Sequence, residues 1–285
     1  MSGTINLPLL LLGATGIMGR GVLAAAVQVG RPVIAVADDA RELGALTASH
    51  PGADIVALSG SVHTDAAGAE LAAAVRALHR PLIGVIAAFS SAPARGRLLD
   101  HPVQSLQHQL DHDLLPHLVA ARYLLPLLAD NNHGGTYVLI GGPGGELPWA
   151  GYGHRSVAAA AQRMLARVLH DEARALALRV QLLAVDLPVK EECHAQACPH
   201  WPSASEIGRH ALALAERSDG DSTPAPVVAY SARLGAISST SKPVVATGLP
   251  RVSSLLPARC LLDARQLLQS LVPLRSRNPN QDSPP

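Results

Sequence analysis

The chain has 285 residues, 48% of them hydrophobic and 16% charged, with 24 Gly, 22 Pro and a formal net charge of +1. That composition supplies a sizeable buried core and excludes disordered, collagen-like and coiled-coil classes. With 23 Lys and Arg against 22 Asp and Glu, and only 4 Tyr, 2 Trp and 1 Phe to stack on bases, no nucleic-acid partner is expected.

The longest apolar runs, at 7–12 and 82–89, fall short of the roughly 18 residues that span a membrane, so no membrane partner is expected either. The first apolar run has no basic stretch before it and leads into a glycine turn instead of a cleavage site. Three Cys, at Cys193, Cys198 and Cys260, make no disulfide framework. Both observations point to the cytoplasm.

Short Val/Ile/Leu runs alternate with Ala/Leu-rich stretches of helical period, which predicts an α/β fold with a doubly wound parallel sheet of Rossmann type. Strands are expected at 7–12, 33–37, 54–58, 82–88, 136–141 and 180–185, with a seventh at either 243–247 or 226–230. Helices are expected at 17–29, 65–79, 103–129, 152–178, 204–217 and 260–271. Pro116 should bend the third of these, because it removes a backbone hydrogen bond. In the fourth, Val157, Ala161, Met164, Ala166, Val168 and Leu169 form an apolar stripe suited to packing on a sheet. Residues 186–203 read as a loop covering a substrate, and 275–285 as a disordered tail, leaving a single domain over 1–274.

The most informative stretch is Leu9-Leu-Leu-Leu-Gly13-Ala-Thr15-Gly16-Ile17-Met18-Gly19, a strand running through three glycines into an apolar helix. Gly13 permits a tight turn, Gly16 lets backbone approach a pyrophosphate, and Gly19 lets helix and strand pack closely. The diphosphate would lie on the free N–H groups at Ile17 and Met18, where the helix dipole favours negative charge. The next strand ends in Asp38 and Asp39, at the place where an acid accepts hydrogen bonds from the adenosine ribose. This favours NAD over NADP, with two opposing readings. Arg20 and Arg41 stand close enough in sequence to grip a ribose phosphate, and either Asp serves equally well as the cap of a following helix.

On these residues the chain resembles the short-chain dehydrogenase/reductase superfamily over most of 7–217. Its glycine turn is closer to the atypical and extended branches than to the commonest one. Ile86-Ala87-Ala88-Phe89 stands where members carry an Asn-Asn-Ala-Gly turn, and Ser61-Val62 where they place an Asp-Val pair beside adenine. Leu110–Leu115 resembles the helix with the active-site Asn, 135–142 the strand ending in the catalytic Ser, and Gly151–Ser156 the YxxxK helix start. The resemblance implies a nicotinamide cofactor, a carbonyl or alcohol substrate and a homo-oligomer, a dimer or tetramer.

Within the resemblance Tyr152 is the acid/base, Ser156 stands in the Lys position, Gly141 or Gly142 in the Ser position and Asp113 in the Asn position. The stretch between Gly142 and Tyr152 is shorter than in the family by about three residues, just under one helical turn. Without the Lys, Tyr152 has no cation to lower its pKa, and His154, Arg155 and Lys190 are the available substitutes.

Two clusters have metal-ligand chemistry: Cys193, His194, Cys198 and His200 in the covering loop, and His108 with His112 at helical i,i+4 spacing. The first lacks standard zinc spacing and reads as a substrate-lining or polar loop; the second has a spacing that can hold a metal on one helix face but reads as a solvated or interfacial polar face, so no metal is expected. Ser90, Ser91, Asn131 and Asn132 are further polar residues at element ends. The sequence thus points to an NAD(P)-dependent oxidoreductase. The loss of Lys, Ser and Asn together leaves a catalytically impaired dinucleotide-binding protein as the alternative.

Overall fold

A computed structural model describes residues 7–91, 95–130, 134–190, 201–216 and 225–230. All of them lie in the first of two compact units, Met1–Arg233. The second, Leu234–Pro285, lies outside the described residues, and with it the expected strand at 243–247, the helix at 260–271, Cys260 and the tail.

Seven parallel strands form one sheet: β1 (Leu9–Leu12), β2 (Val33–Ala37), β3 (Ile55–Ser59), β4 (Gly84–Ala87), β5 (Thr136–Gly141), β6 (Arg179–Ala184) and β7 (Val227–Ala229), in the order β3-β2-β1-β4-β5-β6-β7. Of the two candidates for a last strand, 226–230 therefore pairs with β6. Every residue of β1 is fully buried, because successive side chains enter different cores. Leu9 and Leu11 pack with α1 (Ile17–Gln28), α2 (Ala40–Ala48) and α7 (Ala204–Glu216). Leu10 and Leu12 pack on the opposite face with α3 (Asp65–Ala77), α5 (Leu115–Ala129) and α6 (Gly153–Ala173). A strand covered on both faces reads as an unbroken apolar run. The order of strands reverses between β1 and β4, which opens a crevice at their carboxyl ends.

Three helical expectations need correction. The stretch 103–129 is two helices, α4 (Val103–Asp113) and α5, separated at Leu114. Pro116 lies in the first turn of α5, where the missing N–H has no intrahelical acceptor, so it begins a helix instead of bending one. Helix α2 forms on the Asp39 cap with only Leu43 and Leu46 buried, too few apolar positions to mark it by period. In α6 the expected stripe is divided: Ala166 and Leu169 are buried, whereas Val157, Met164 and Val168 face outward. The packed face is built from small residues such as Ala158 and Ala159, together with Gln162, Arg163 and His170.

Helix α7 begins with a reciprocal cap. The Ser203 N–H donates to Glu206 Oε2 at 2.7 Å and the Glu206 N–H donates to Ser203 Oγ at 3.2 Å. These bonds and the charges nearby hold the Glu206 carboxyl below its ordinary pKa. Helices α1 and α7 cross closely enough that a Cβ on Gly208 would lie 2.3 Å from the Gly21 carbonyl oxygen. Among the described residues, no helix is long and apolar enough to cross a membrane.

Candidate dinucleotide and substrate site

The Gly13–Gly19 turn has the shape its sequence predicts. Gly13 adopts φ +72°, and a Cβ there would stand 2.7 Å from the Ala88 carbonyl oxygen; a Cβ on Gly19 would stand 2.0 Å from the Gly13 carbonyl oxygen. Gly16, the N-cap of α1, is extended and open, with nothing closer to a Cβ than 3.5 Å. The first amides of α1, at Ile17 and Met18, thus face a cradle that side chains would fill.

Two cavities meet at this turn and share Gly16, Ala88, Phe89, Ser90 and Ser91. The smaller, about 300 Å³, is lined by Gly13, Thr15, Asp38, Ser61, Val62, His63 and His112 among others. The larger, about 500 Å³, reaches from Ile17 and Met18 past Asp113, Gly141 and Gly142 to Trp149, Arg155, Gln162 and Val185. Most sequence-predicted cofactor residues therefore line one cavity or the other. Ala87 is instead fully buried in β4, and Gly19 lies behind the turn.

The two acids after β2 separate in role. Asp39 accepts from the N–H groups of Arg41 and Glu42 at 2.8 and 3.1 Å and caps α2. Both acids line the smaller cavity, and Asp38 has its Oδ2 3.4 Å from His63 Nε2. Arg20 Nε donates to the Thr15 carbonyl at 2.7 Å, and neither Arg20 nor Arg41 lines this cavity. The residues present fit a dinucleotide: open amides at the start of α1 and, on the smaller cavity, the carboxylate of Asp38 beside His63.

The resemblance-based catalytic residues do not converge. Asp113 lines the larger cavity, and its Oδ1 accepts from the Ser91 N–H at 2.7 Å while Oδ2 takes the Gln109 amide. Tyr152 precedes α6 and does not line the cavity; its ring stacks on Trp149, with centroids 4.3 Å apart. Ser156 is buried, and its hydroxyl accepts from the Trp149 N–H at 2.9 Å and donates to the Tyr152 carbonyl at 3.1 Å, so it ties down the loop before α6. His154 packs edge-on against His101, and burial first, then His101, hold its pKa below the ordinary value, which disfavours its cationic form. Lys190 is likewise absent from the cavity lining. Its N–H donates to the Pro202 carbonyl at 3.0 Å and its carbonyl accepts from the Ala204 N–H at 3.3 Å.

In their place the structure brings Arg155, Trp149 and Gln162 to the larger cavity. Gln162 Nε2 donates to His117 Nε2 at 2.7 Å; burial pushes the imidazole of His117 down to about 3, so it stays neutral as an acceptor. Among the described residues no group of three His, Cys, Asp or Glu side chains is placed to hold a metal. Cys193–His200 and Asn131–Asn132 lie outside the described residues.

No protein-family model matches the sequence, and no curated protein does. Solved structures match the fold. A short-chain type dehydrogenase/reductase from Mycobacterium ulcerans superposes with a TM-score of 0.68 at 19% identity, over 79% of this chain and 87% of that one. A short chain dehydrogenase from Mycobacterium smegmatis gives 0.68 at 20% identity, over 80% and 93%.

This is the short-chain dehydrogenase/reductase fold. A further protein with that fold, a metagenomic short-chain oxidoreductase in complex with NADP, matches at 0.63 with 18% identity, over 75% of this chain and 92% of that one. Within this short-chain dehydrogenase/reductase fold, Trp149, Arg155 and Gln162 line the larger cavity of this chain.

Proposed function

We propose that the protein binds a nicotinamide dinucleotide across the two cavities and is an oxidoreductase of the short-chain dehydrogenase/reductase type, acting on a small carbonyl or alcohol substrate. The observation that carries this is the junction of both cavities at Gly16, in front of the open N-terminus of α1. In this reading Ile17 and Met18 donate to the diphosphate, Ser61 and Val62 flank adenine, and Asp38 accepts from the ribose hydroxyls, so NAD is preferred. The bound nicotinamide supplies or accepts the hydride. Tyr152 exchanges the proton, reaching the substrate past Trp149, since catalytic hydrogen bonds are often long before ligands bind.

Titration calorimetry with NAD, NADH, NADP and NADPH tests the binding, and loss of 340 nm absorbance with a panel of aldehydes and ketones tests the chemistry. Micromolar binding of one pair and turnover are expected. In Tyr152→Phe, turnover should fall by roughly 10²–10⁴ with cofactor affinity unchanged; an unaltered rate removes Tyr152 from the mechanism.

A second reading is favoured by the position of Tyr152 and Ser156 outside the cavity lining: a dinucleotide-binding protein without turnover. Binding of a dinucleotide with no hydride transfer to any carbonyl of the panel would establish it. Self-association belongs to the same proposal, with Leu118 on α5 and Met164 on α6 among the exposed apolar residues a second copy would cover. Sedimentation should give a dimer or tetramer.

A further inference from the structure

We propose that Arg155 is an anion-binding residue and that the substrate of the larger cavity carries a carboxylate beside its reacting carbonyl or alcohol. Naming the ligand a substrate rests on the oxidoreductase reading; the anion site itself stands on the geometry.

Arg155 lines the larger cavity and is half-buried. Its guanidinium lies over Gly142, so close that a Cβ there would stand 3.0 Å from Nη2 and 3.3 Å from Nε. A side chain at 142 would therefore crowd the guanidinium.

The neighbouring acids are already committed. Both oxygens of Asp186 accept from Arg163 at 2.7 Å, and Glu146 lies 3.8 Å from the same guanidinium. Asp113, the acid on the cavity wall, is taken by the Ser91 N–H and the Gln109 amide. Among the described residues no carboxyl group is within ion-pair distance of Arg155. A permanently charged, half-buried group without an ion-pair partner, in a cavity that Ile140, Trp149 and Leu187 also line, is better solvated when an anionic ligand completes it. The planar fork of a guanidinium matches a carboxylate in two parallel hydrogen bonds, and the apolar wall suits the carbon skeleton. An oxo or hydroxy acid satisfies both.

The test is calorimetric titration of the full chain with phenylglyoxylate and with its amide, a pair equal in shape and different in charge, each with and without saturating NAD. The anion should bind about tenfold more tightly than the amide, in keeping with a charge-assisted pair. That ratio should collapse to near one in Arg155→Met and fall by about threefold in Arg155→Lys, which keeps the charge and loses the fork. Gly142→Ala, which crowds the guanidinium, should also reduce it. The Lys and Ala variants carry the test if Arg155→Met loses its helical circular dichroism.

Equal binding of the two probes by the unsubstituted protein, failure of both to bind, or an unchanged ratio in the variants overturns the inference. So does a loss of NAD affinity in Arg155→Met with the probe ratio intact, which would give the guanidinium to the cofactor. Failure of every dinucleotide to bind, with an Arg155-dependent ratio preserved, sinks the oxidoreductase reading and leaves the anion site standing.

Discussion

Gly13 combines a left-handed backbone with a carbonyl oxygen 2.7 Å from where its Cβ would be. Gly13→Ala should therefore cost about 1–3 kcal/mol in urea unfolding, the usual range for backbone strain and overpacking. It should also weaken dinucleotide binding at least tenfold, because the displaced loop carries the amides of α1; equal affinity by calorimetry would separate the turn from the ligand. This residue is legible in the sequence because only glycine meets such a requirement, and the strand and helix around it fix the context. Asp39 is half legible: a cap and a ribose acceptor need the same side chain in the same place, and only the bonds to Arg41 and Glu42 separate it from Asp38. Arg155 is hidden by the nearby tyrosine. An arginine on a helix is ordinarily solvated, and only the assembled fold shows that this one lines a cavity.

Between elements, the crossing of α1 and α7 rests on Gly21 and Gly208, each of whose Cβ positions would fall within 2.3 Å of the other helix's backbone. Alanine is the better helix former by about 1 kcal/mol, yet Gly208→Ala should lower stability by about 1–3 kcal/mol, since the helices would have to separate. A stabilised variant in thermal unfolding would disprove this account of the crossing. Helices α5 and α6 are joined by the buried His117–Gln162 pair. The folded pKa of His117, about 3, lies below the ordinary 6.5, so the unfolded chain binds the extra proton first. Stability from this group is complete above pH 6.5 and is lost as pH falls toward 3, by roughly 4–5 kcal/mol in all. Urea midpoints from pH 7 to 4 should fall steeply in the unsubstituted chain and less steeply in His117→Gln; parallel slopes would contradict it. At this scale the sequence shows where most helices lie but not which faces they bury. Val157 and Met164 look like core by period and are exposed, because small and polar residues make the packed side of α6.

For the molecule as a whole, the strand order and its reversal beside β1 are what turn a local glycine pattern into a binding crevice. A dinucleotide that binds only the folded state should raise stability by about 2.7 kcal/mol at a hundredfold excess over its Kd. A thermal-shift titration should show the full rise in the unsubstituted chain and, at the same concentration, a rise smaller by about 1.3 kcal/mol or more in Gly13→Ala; no shift with any of the four forms would argue against the cofactor. The parallel sheet is legible because β1, β2 and β4 are unbroken apolar runs between helical segments, which few other folds require. The chemistry is less so, since it depends on side chains from α4, α6 and the strand ends whose meeting no local pattern records. The clamp between Lys190 and the Pro202–Ala204 segment has a consequence for how this scaffold can diversify. Because departure and return are pinned to each other, a longer connection between Lys190 and Pro202 would meet only the closure entropy of a larger loop, about 0.6 kcal/mol for a doubling, with the two pinned ends kept in place.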